Sequence, residues 1–222
     1  MLLLPAVLLS TALVPSPPEP IDSILARLES LDKVSFTYRR ILDYKAPAYH
    51  HDGTWRVVGE VQREGALPFK RLWVENKDFG ASGYDGRVYW SKDASDGKVR
   101  GTVEPKPTEF DDMSALRNNI FGLSRSLRAA LKADPLSVRA IPDAGAHVVL
   151  EWDCVKSRPT ISVPLEPMEV SCRFRMEFDK MSWLPIKITQ FLVQEGDTIT
   201  TMFSGWNLAP KVSDDLFAPP KG

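Results

Sequence analysis

Net charge, histidine and cysteine are what this chain has least of. Its 222 residues carry 28 Lys and Arg against 29 Asp and Glu, a net charge of −1. The basic residues are scattered, with no long cluster. Such a chain has no electrostatic footprint for a polyanion, so no nucleic-acid partner is expected. There are 3 histidines, and none is spaced to serve either cysteine as the basic partner of a catalytic thiol. His50-His51 lie beside Asp52 in a predicted surface loop, and further metal ligands are wanting. The glycines form no P-loop and no dinucleotide fingerprint, no serine sits in a nucleophile elbow, and the carboxylates are dispersed. An enzyme is therefore not expected, and neither a cofactor, a metal nor a catalytic residue is assigned.

Long apolar runs are also lacking, with one exception at the start. Met1–Val14 is apolar and stops at Pro15-Ser16-Pro17-Pro18. A run of about 14 residues is too short to span a bilayer and fits the core of a signal peptide. It has no basic n-region, since Arg27 is the first cationic residue, and no Cys lies near it for lipid attachment. Residues 1–18 are thus expected to be a signal-peptide-like segment. Residues 19–222 are expected to be one extracytoplasmic domain, soluble after cleavage and monomeric.

What is abundant is alternation. In the stretch from Val170 to Asp179, Val170, Cys172, Phe174, Met176 and Phe178 share one side, while Ser171, Arg173, Arg175, Glu177 and Asp179 share the other. A period of two over ten residues predicts a strand with one dry face. After a Pro-containing turn the pattern resumes through Ile186, Ile188 and Leu192, then returns through Ile199, Thr201 and Phe203. Further strands are predicted at 34–42, 55–63, 69–75, 86–91, 98–104 and 147–154, with 43–53 as a loop. Many of the 18 prolines punctuate predicted loops and the termini. Helical spacing appears twice. Ile21, Ile24, Leu25, Leu28 and Leu31 form one apolar stripe, and Leu116, Ile120, Leu123, Leu127 and Leu131 form another, in a helix from about Phe110 to Ala133. The fold class is α+β: a one-sided antiparallel sheet whose dry face needs a cover, and a mid-chain helix able to supply it.

Several segments in this order resemble a known family. "ILARLESLDKVSFTY" runs a short helix into a strand, "YDGRVYW" forms a hairpin, a helical insert follows, then "LPIKITQF", and the end reads "LFAPPKG". The match over Ile21–Gly222 is to the outer-membrane lipoprotein carriers, the LolA-like and LolB-like proteins. That resemblance implies an incomplete antiparallel β-barrel with helices plugging its open side and a hydrophobic cavity for acyl chains. It implies periplasmic localisation and lipid acyl chains or lipoproteins as cargo. It also implies exchange with an inner-membrane ABC transporter and an outer-membrane receptor. The carriers hold their lid helices with an Arg that directly precedes a Pro. Arg63 stands at the comparable place, but Glu64-Gly65 follows it. Sensors share this fold, so a periplasmic sensor or scaffold that binds a protein and carries no lipid is the alternative.

The residues expected to line the apolar interior come from sheet and helix. From the first strands they are Phe36, Tyr38, Trp55, Val57, Phe69 and Trp73. From the later strands they are Trp152, Phe174, Met176 and Phe178, and from the mid-chain helix Leu116, Ile120, Leu123 and Leu127. They form either a ligand cavity or a filled core. Cys154 and Cys172 fall in phase with the inward residues of two strands joined by a Pro-rich loop, and are either disulfide-bonded or two buried thiols. A bond would close a loop of about 18 residues and stabilise the fold by roughly 3 kcal/mol in the chain-entropy account.

Overall fold

Eleven strands make one sheet, and the chain crosses it as two meanders. In the computed structural model residues 19–45, 48–65, 67–105, 120–134, 138–142, 145–154, 172–192 and 196–220 are described. Helix α1 (Glu19–Ser30) leads into β1 (Lys33–Lys45), β2 (Ala48–Val61), β3 (Phe69–Asn76), β4 (Gly80–Tyr84), β5 (Val88–Asp93) and β6 (Val99–Val103). Helix α2 (Ile120–Ala133) separates these from β7 (Val138–Pro142), β8 (His147–Cys154), β9 (Cys172–Asp179), β10 (Pro185–Leu192) and β11 (Asp197–Asn207). The strand order is β6-β5-β4-β3-β2-β1-β11-β10-β9-β8-β7, antiparallel throughout. The edge strands β6 and β7 do not pair with each other, so the sheet stays open as an incomplete barrel. This is the α+β half-barrel that the alternation and the two helical stripes indicate.

Alternation decides which face is dry. Val34, Phe36 and Tyr38 of β1, Trp55 and Val57 of β2, and Phe174, Met176 and Phe178 of β9 are buried together with Ile21, Ile24, Leu25 and Leu28 of α1. Ile120, Phe121, Leu123 and Leu127 of α2 complete the same cluster. Both helices therefore cover one face, here the inner face. Two register shifts re-aim side chains. Between Ser35 and Thr37 the β1–β11 register slips, and Gly205 in β11 takes a φ of +63° that favours glycine. Trp206, just beyond it, turns onto the inner face with its ring 4.6 Å from that of Phe36.

The second shift corrects an expectation. Simple alternation puts Trp73 on the same face as Phe69. A slip between Glu60 and Val61 in the β2–β3 register leaves Phe69, Leu72 and Val74 buried inside. Trp73 is only half-buried, on the outer face, where the Arg56 guanidinium lies 5.8 Å from its ring centre. The stretch 43–53 also differs from the predicted loop. β1 and β2 pair as far as Lys45 and Ala48, so His50 and His51 are strand residues. The strands β4 and β7, which the sequence pattern does not separate out, are short and flank turns. Residues 1–18, the helix start at 110–119 with Leu116, and the Pro-rich stretch 158–167 lie outside the described residues.

The outer face carries a small core of its own. The C-terminal turn Asp214–Leu216 is capped by Ser213, whose hydroxyl accepts from the Asp215 amide. It delivers Phe217 to the outer side of the sheet, where that ring is fully buried. The Trp90 indole donates to the Phe217 carbonyl at 2.7 Å, and the Arg71 guanidinium sits 4.8 Å over the Phe217 ring. Arg71 also pairs with Glu60 and Asp214. Those hydrogen bonds, Arg71 first and Lys33 after it, hold the Glu60 carboxyl below the usual carboxylate range.

Candidate functional site

The inner face is where the predicted lining residues meet. Phe36, Tyr38, Trp55, Val57, Phe69, Trp152, Phe174, Met176 and Phe178 are all buried there, with Ile120, Leu123 and Leu127 of α2 above them. They pack on one another. Tyr38 stacks on Trp55 with ring centres 5.1 Å apart, Trp152 on Phe174 at 5.4 Å, and Phe36 lies 5.8 Å from Phe203. These contacts join β1, β2, β8, β9 and β11 into one apolar layer beneath α2.

One contact of α2 with the sheet comes from a residue outside the leucine stripe. Phe121 stands over Gly59 of β2, with its ring 6.1 Å from that of Phe36 and 6.3 Å from that of Phe69. A Cβ at position 59 would come within 2.3 Å of the Phe121 ring. The missing side chain is thus the slot that the ring occupies. The fit is between a residue one step off the Leu stripe and a glycine on a distant strand.

Around this pin the helices are fastened by arginines. Arg125 of α2 donates to the carbonyls of Gly65 at 2.9 Å, Gln62 at 2.6 Å and Leu67 at 3.3 Å, which holds α2 to the β2–β3 connection. Arg128 forks onto the Glu29 carboxylate of α1, with its Nη2 2.7 Å from Glu29 Oε2. Arg63 donates from Nε to the Glu29 carbonyl at 3.0 Å and from Nη2 to the Leu31 carbonyl at 3.5 Å. These are terminal carbonyls that a helix cannot satisfy internally. Arg63 thus fastens the C-terminal end of α1, not α2. Arg27 ties the same helix to the β9–β10 turn through the Ser182 carbonyl at 3.0 Å. The hydrogen bond from Arg128, with its charge and that of Arg63, holds the Glu29 carboxyl below its ordinary range. Arg128 and Glu29 are partly exposed, so their attraction is weakened by water and salt.

At the opposite strand ends the inner face continues as a run of rings. Tyr49 stacks with Tyr44 and His51, His51 meets Trp55 edge-on, and Phe79 lies parallel to Trp55 at 6.5 Å. Tyr49 and Phe79 are exposed, whereas Trp55 and Tyr38 are buried. The run therefore leads from the surface into the interior. Burial pushes the Tyr38 phenol well above its ordinary value. Among the described residues no group of three or more His, Cys, Asp or Glu is placed to hold a metal ion. No described helix is long and apolar enough to cross a membrane.

Cys154 and Cys172 are directly opposite each other in the β8–β9 register. Opposed residues of an antiparallel pair have Cα atoms about 4.5–5.5 Å apart, inside the range a disulfide needs.

No protein-family model matches the chain. No curated protein matches it either. Solved structures are similar in fold. The complex of MucA and MucB from Pseudomonas aeruginosa aligns at 15% identity over 90% of this chain and 61% of that one, with a TM-score of 0.48. A LolA superfamily protein from Nitrosomonas europaea aligns at 11% identity over 89% of this chain and 97% of that one, with a TM-score of 0.37. A DUF1329 family protein from Desulfovibrio piger aligns at 8% identity over 92% and 98% of the two chains, with a TM-score of 0.37. The chain spans less than two thirds of the length of the MucB chain it aligns with. These likenesses are likenesses of fold.

Proposed function

We propose that this protein is an exported binding protein, not an enzyme, that takes up an acyl chain or the lipid anchor of a lipoprotein beneath α1 and α2. The observation that carries this reading is the cover on the inner face. α2 rests on an apolar interior through Ile120, Phe121, Leu123 and Leu127, while its polar fastenings, Arg125 and Arg128, lie at one rim. A cover held at its margin can lift and exchange its own apolar contacts for those of a ligand. The exchange is favourable in scale: about 0.8 kcal/mol per buried CH2 gives a 14-carbon chain about 11 kcal/mol before the costs of binding. In the carrier role, cargo would come from an inner-membrane ABC transporter and pass to an outer-membrane receptor. The test is mass spectrometry of lipid extracted from the full chain purified from a bacterial envelope, with titration of a fluorescent fatty acid. Co-purified lipid and saturable binding are expected; neither lipid nor binding would overturn the proposal.

A second reading, a sensor or scaffold that binds a protein and carries no lipid, is favoured by strand β6. All five of its residues are exposed, including Val99 and Val103, and it is an edge of the sheet. Edge strands accept an added strand from a partner. Site-specific crosslinking from Val103 that captures one protein, with no lipid in the extract, would favour this reading over the first.

Export also accounts for the cysteine pair, and we propose that Cys154 and Cys172 are joined. Thiol labelling of unreduced, denatured protein is expected to find none free. Two labelled thiols would refute the bond.

A further inference from the structure

The two edges of the sheet are not alike. β7 ends at Pro142, a residue with no N–H to offer a neighbour. β6 contains no proline, keeps one unbroken register with β5, and is exposed along its whole length, Val99 at 40% and Val103 at 58%. No described strand other than β5 pairs with it. Its one charged residue, Arg100, is held by Asp96 at 2.9 Å. The lysines, prolines and bulges that commonly protect a sheet edge are therefore wanting within β6. Its hydrogen bonds to β5 show which backbone groups are left over. The Glu104 amide donates to the Arg87 carbonyl at 2.8 Å, and the Lys98 carbonyl accepts from the Asp93 amide at 3.4 Å. Along an antiparallel strand such groups turn to alternate sides. Lys98, Arg100, Thr102 and Glu104 thus direct theirs to β5, whereas Val99, Gly101 and Val103 direct theirs away from the sheet.

We propose that β6 pairs with β6 of a second copy of this chain, antiparallel about a two-fold axis through Gly101. In that register Gly101 of each chain meets Gly101 of the other, Val99 meets Val103, and Arg100 meets Thr102. Every outward N–H and C=O of the edge then stands in a hydrogen-bonding position, and no charge faces a like charge. A shift by one residue would set each outward group against a residue whose own groups face β5. A shift by two would leave one of the valines beyond the overlap. The valines lie on the outer face with Val88, which is paired with Val103 in β5, and each would gain a valine across the seam. Glycine inside a strand weakens it, and commonly marks where another backbone comes close. A Cβ at Gly101 would meet atoms no nearer than 3.4 Å, so its own chain does not require the small residue there. The occupant follows from this fit, since a strand that complements itself in backbone, side-chain type and charge matches a copy of itself. The net charge of −1 sets no repulsion between copies. The inference does not rest on the acyl reading, and the second copy would take the edge that the sensor reading gives to another protein.

The test is sedimentation of the full chain over a range of concentrations. A five-residue edge is a small interface, so a monomer–dimer equilibrium is expected with a dissociation constant on the order of 100 µM. The double variant Val99→Lys, Val103→Lys sets like charges opposite each other across the seam and should weaken association at least about tenfold. The double variant Val99→Lys, Val103→Glu sets opposite charges in the same places and should return it to within about threefold of the parent. Both positions are exposed, so the two variants are expected to keep the parent's melting temperature. A parent that stays monomeric to about 1 mM would overturn the pairing, since edge contacts weaker than that carry no specificity. A dimer that tolerates the two lysines would overturn it as well, by placing the contact elsewhere. A Lys/Glu variant that associates no better than the Lys/Lys variant would overturn the two-fold at Gly101.

Discussion

Phe121→Ala is expected to lower the free energy of unfolding by about 3–5 kcal/mol and to increase uptake of an apolar probe. The stability loss follows from burial: the ring is enclosed by Phe36, Phe69 and the backbone of Gly59, and truncation leaves a hole that α2 cannot close without sliding. The gain in binding follows from the same geometry, since α2 loses its contact with Gly59 while its ion pair with α1 remains. Gly59→Ala should destabilise as well, because its methyl group would meet the ring at 2.3 Å. The double variant gives the sharper result. With the ring gone, the added methyl group on β2 has room, so the two changes together should cost less than their sum. Chemical unfolding of the three variants with a parallel Nile red titration measures both effects. Additive costs, or a destabilised Phe121→Ala that binds no more probe, would show that Phe121 is core and not the pin of a cover.

Phe217→Ala should cost about 3–4 kcal/mol and leave ligand binding alone. Its ring is fully buried on the outer face, between the Arg71 guanidinium and the Trp90 indole. Removing it strands Arg71 over a void, while Trp90 still finds the backbone carbonyl of residue 217. Phe217 and Trp90 lie outside the inner-face cluster, so probe affinity measured well below the melting temperature should match the parent. A change in probe affinity comparable to that of Phe121→Ala would mean that the two faces are coupled through the sheet.

The sequence makes the sheet legible where strands are regular. Phe174, Met176 and Phe178 alternate in the chain and are buried in the fold, because β9 pairs with β8 without a slip and shifts only at its Pro185 end. Legibility fails where the backbone inserts a residue. Trp73 faces outward because of the slip at Val61, which no periodicity announces. The site is less legible than the sheet. Phe121 sits beside the Leu stripe rather than in it, and its slot is a glycine more than 60 positions upstream, roughly the span of the Arg125–Gln62 contact at 63. Arg40 is in phase with Phe36 and Tyr38 on β1 and is 6% exposed, a burial that its charge gives no sign of. Arg63 is legible as a residue of interest through family resemblance alone, and its partners, the end carbonyls of α1, are groups that sequence cannot distinguish.

The strand order has a consequence for how the chain finds this structure. Every strand pairs with its neighbour in sequence except at the centre, where β1 meets β11. There the Lys45 amide reaches the Asp197 carboxylate, 152 positions away. Most hairpins within each meander close short loops and can form early, whereas the central pairing must wait for both halves. Until that seam closes, two half-sheets expose unpaired strand edges and a dry face, and each is a template for the other half of a second molecule. Refolding should therefore grow slower and lossier as protein concentration rises, with exchange of whole meanders between chains as its characteristic error.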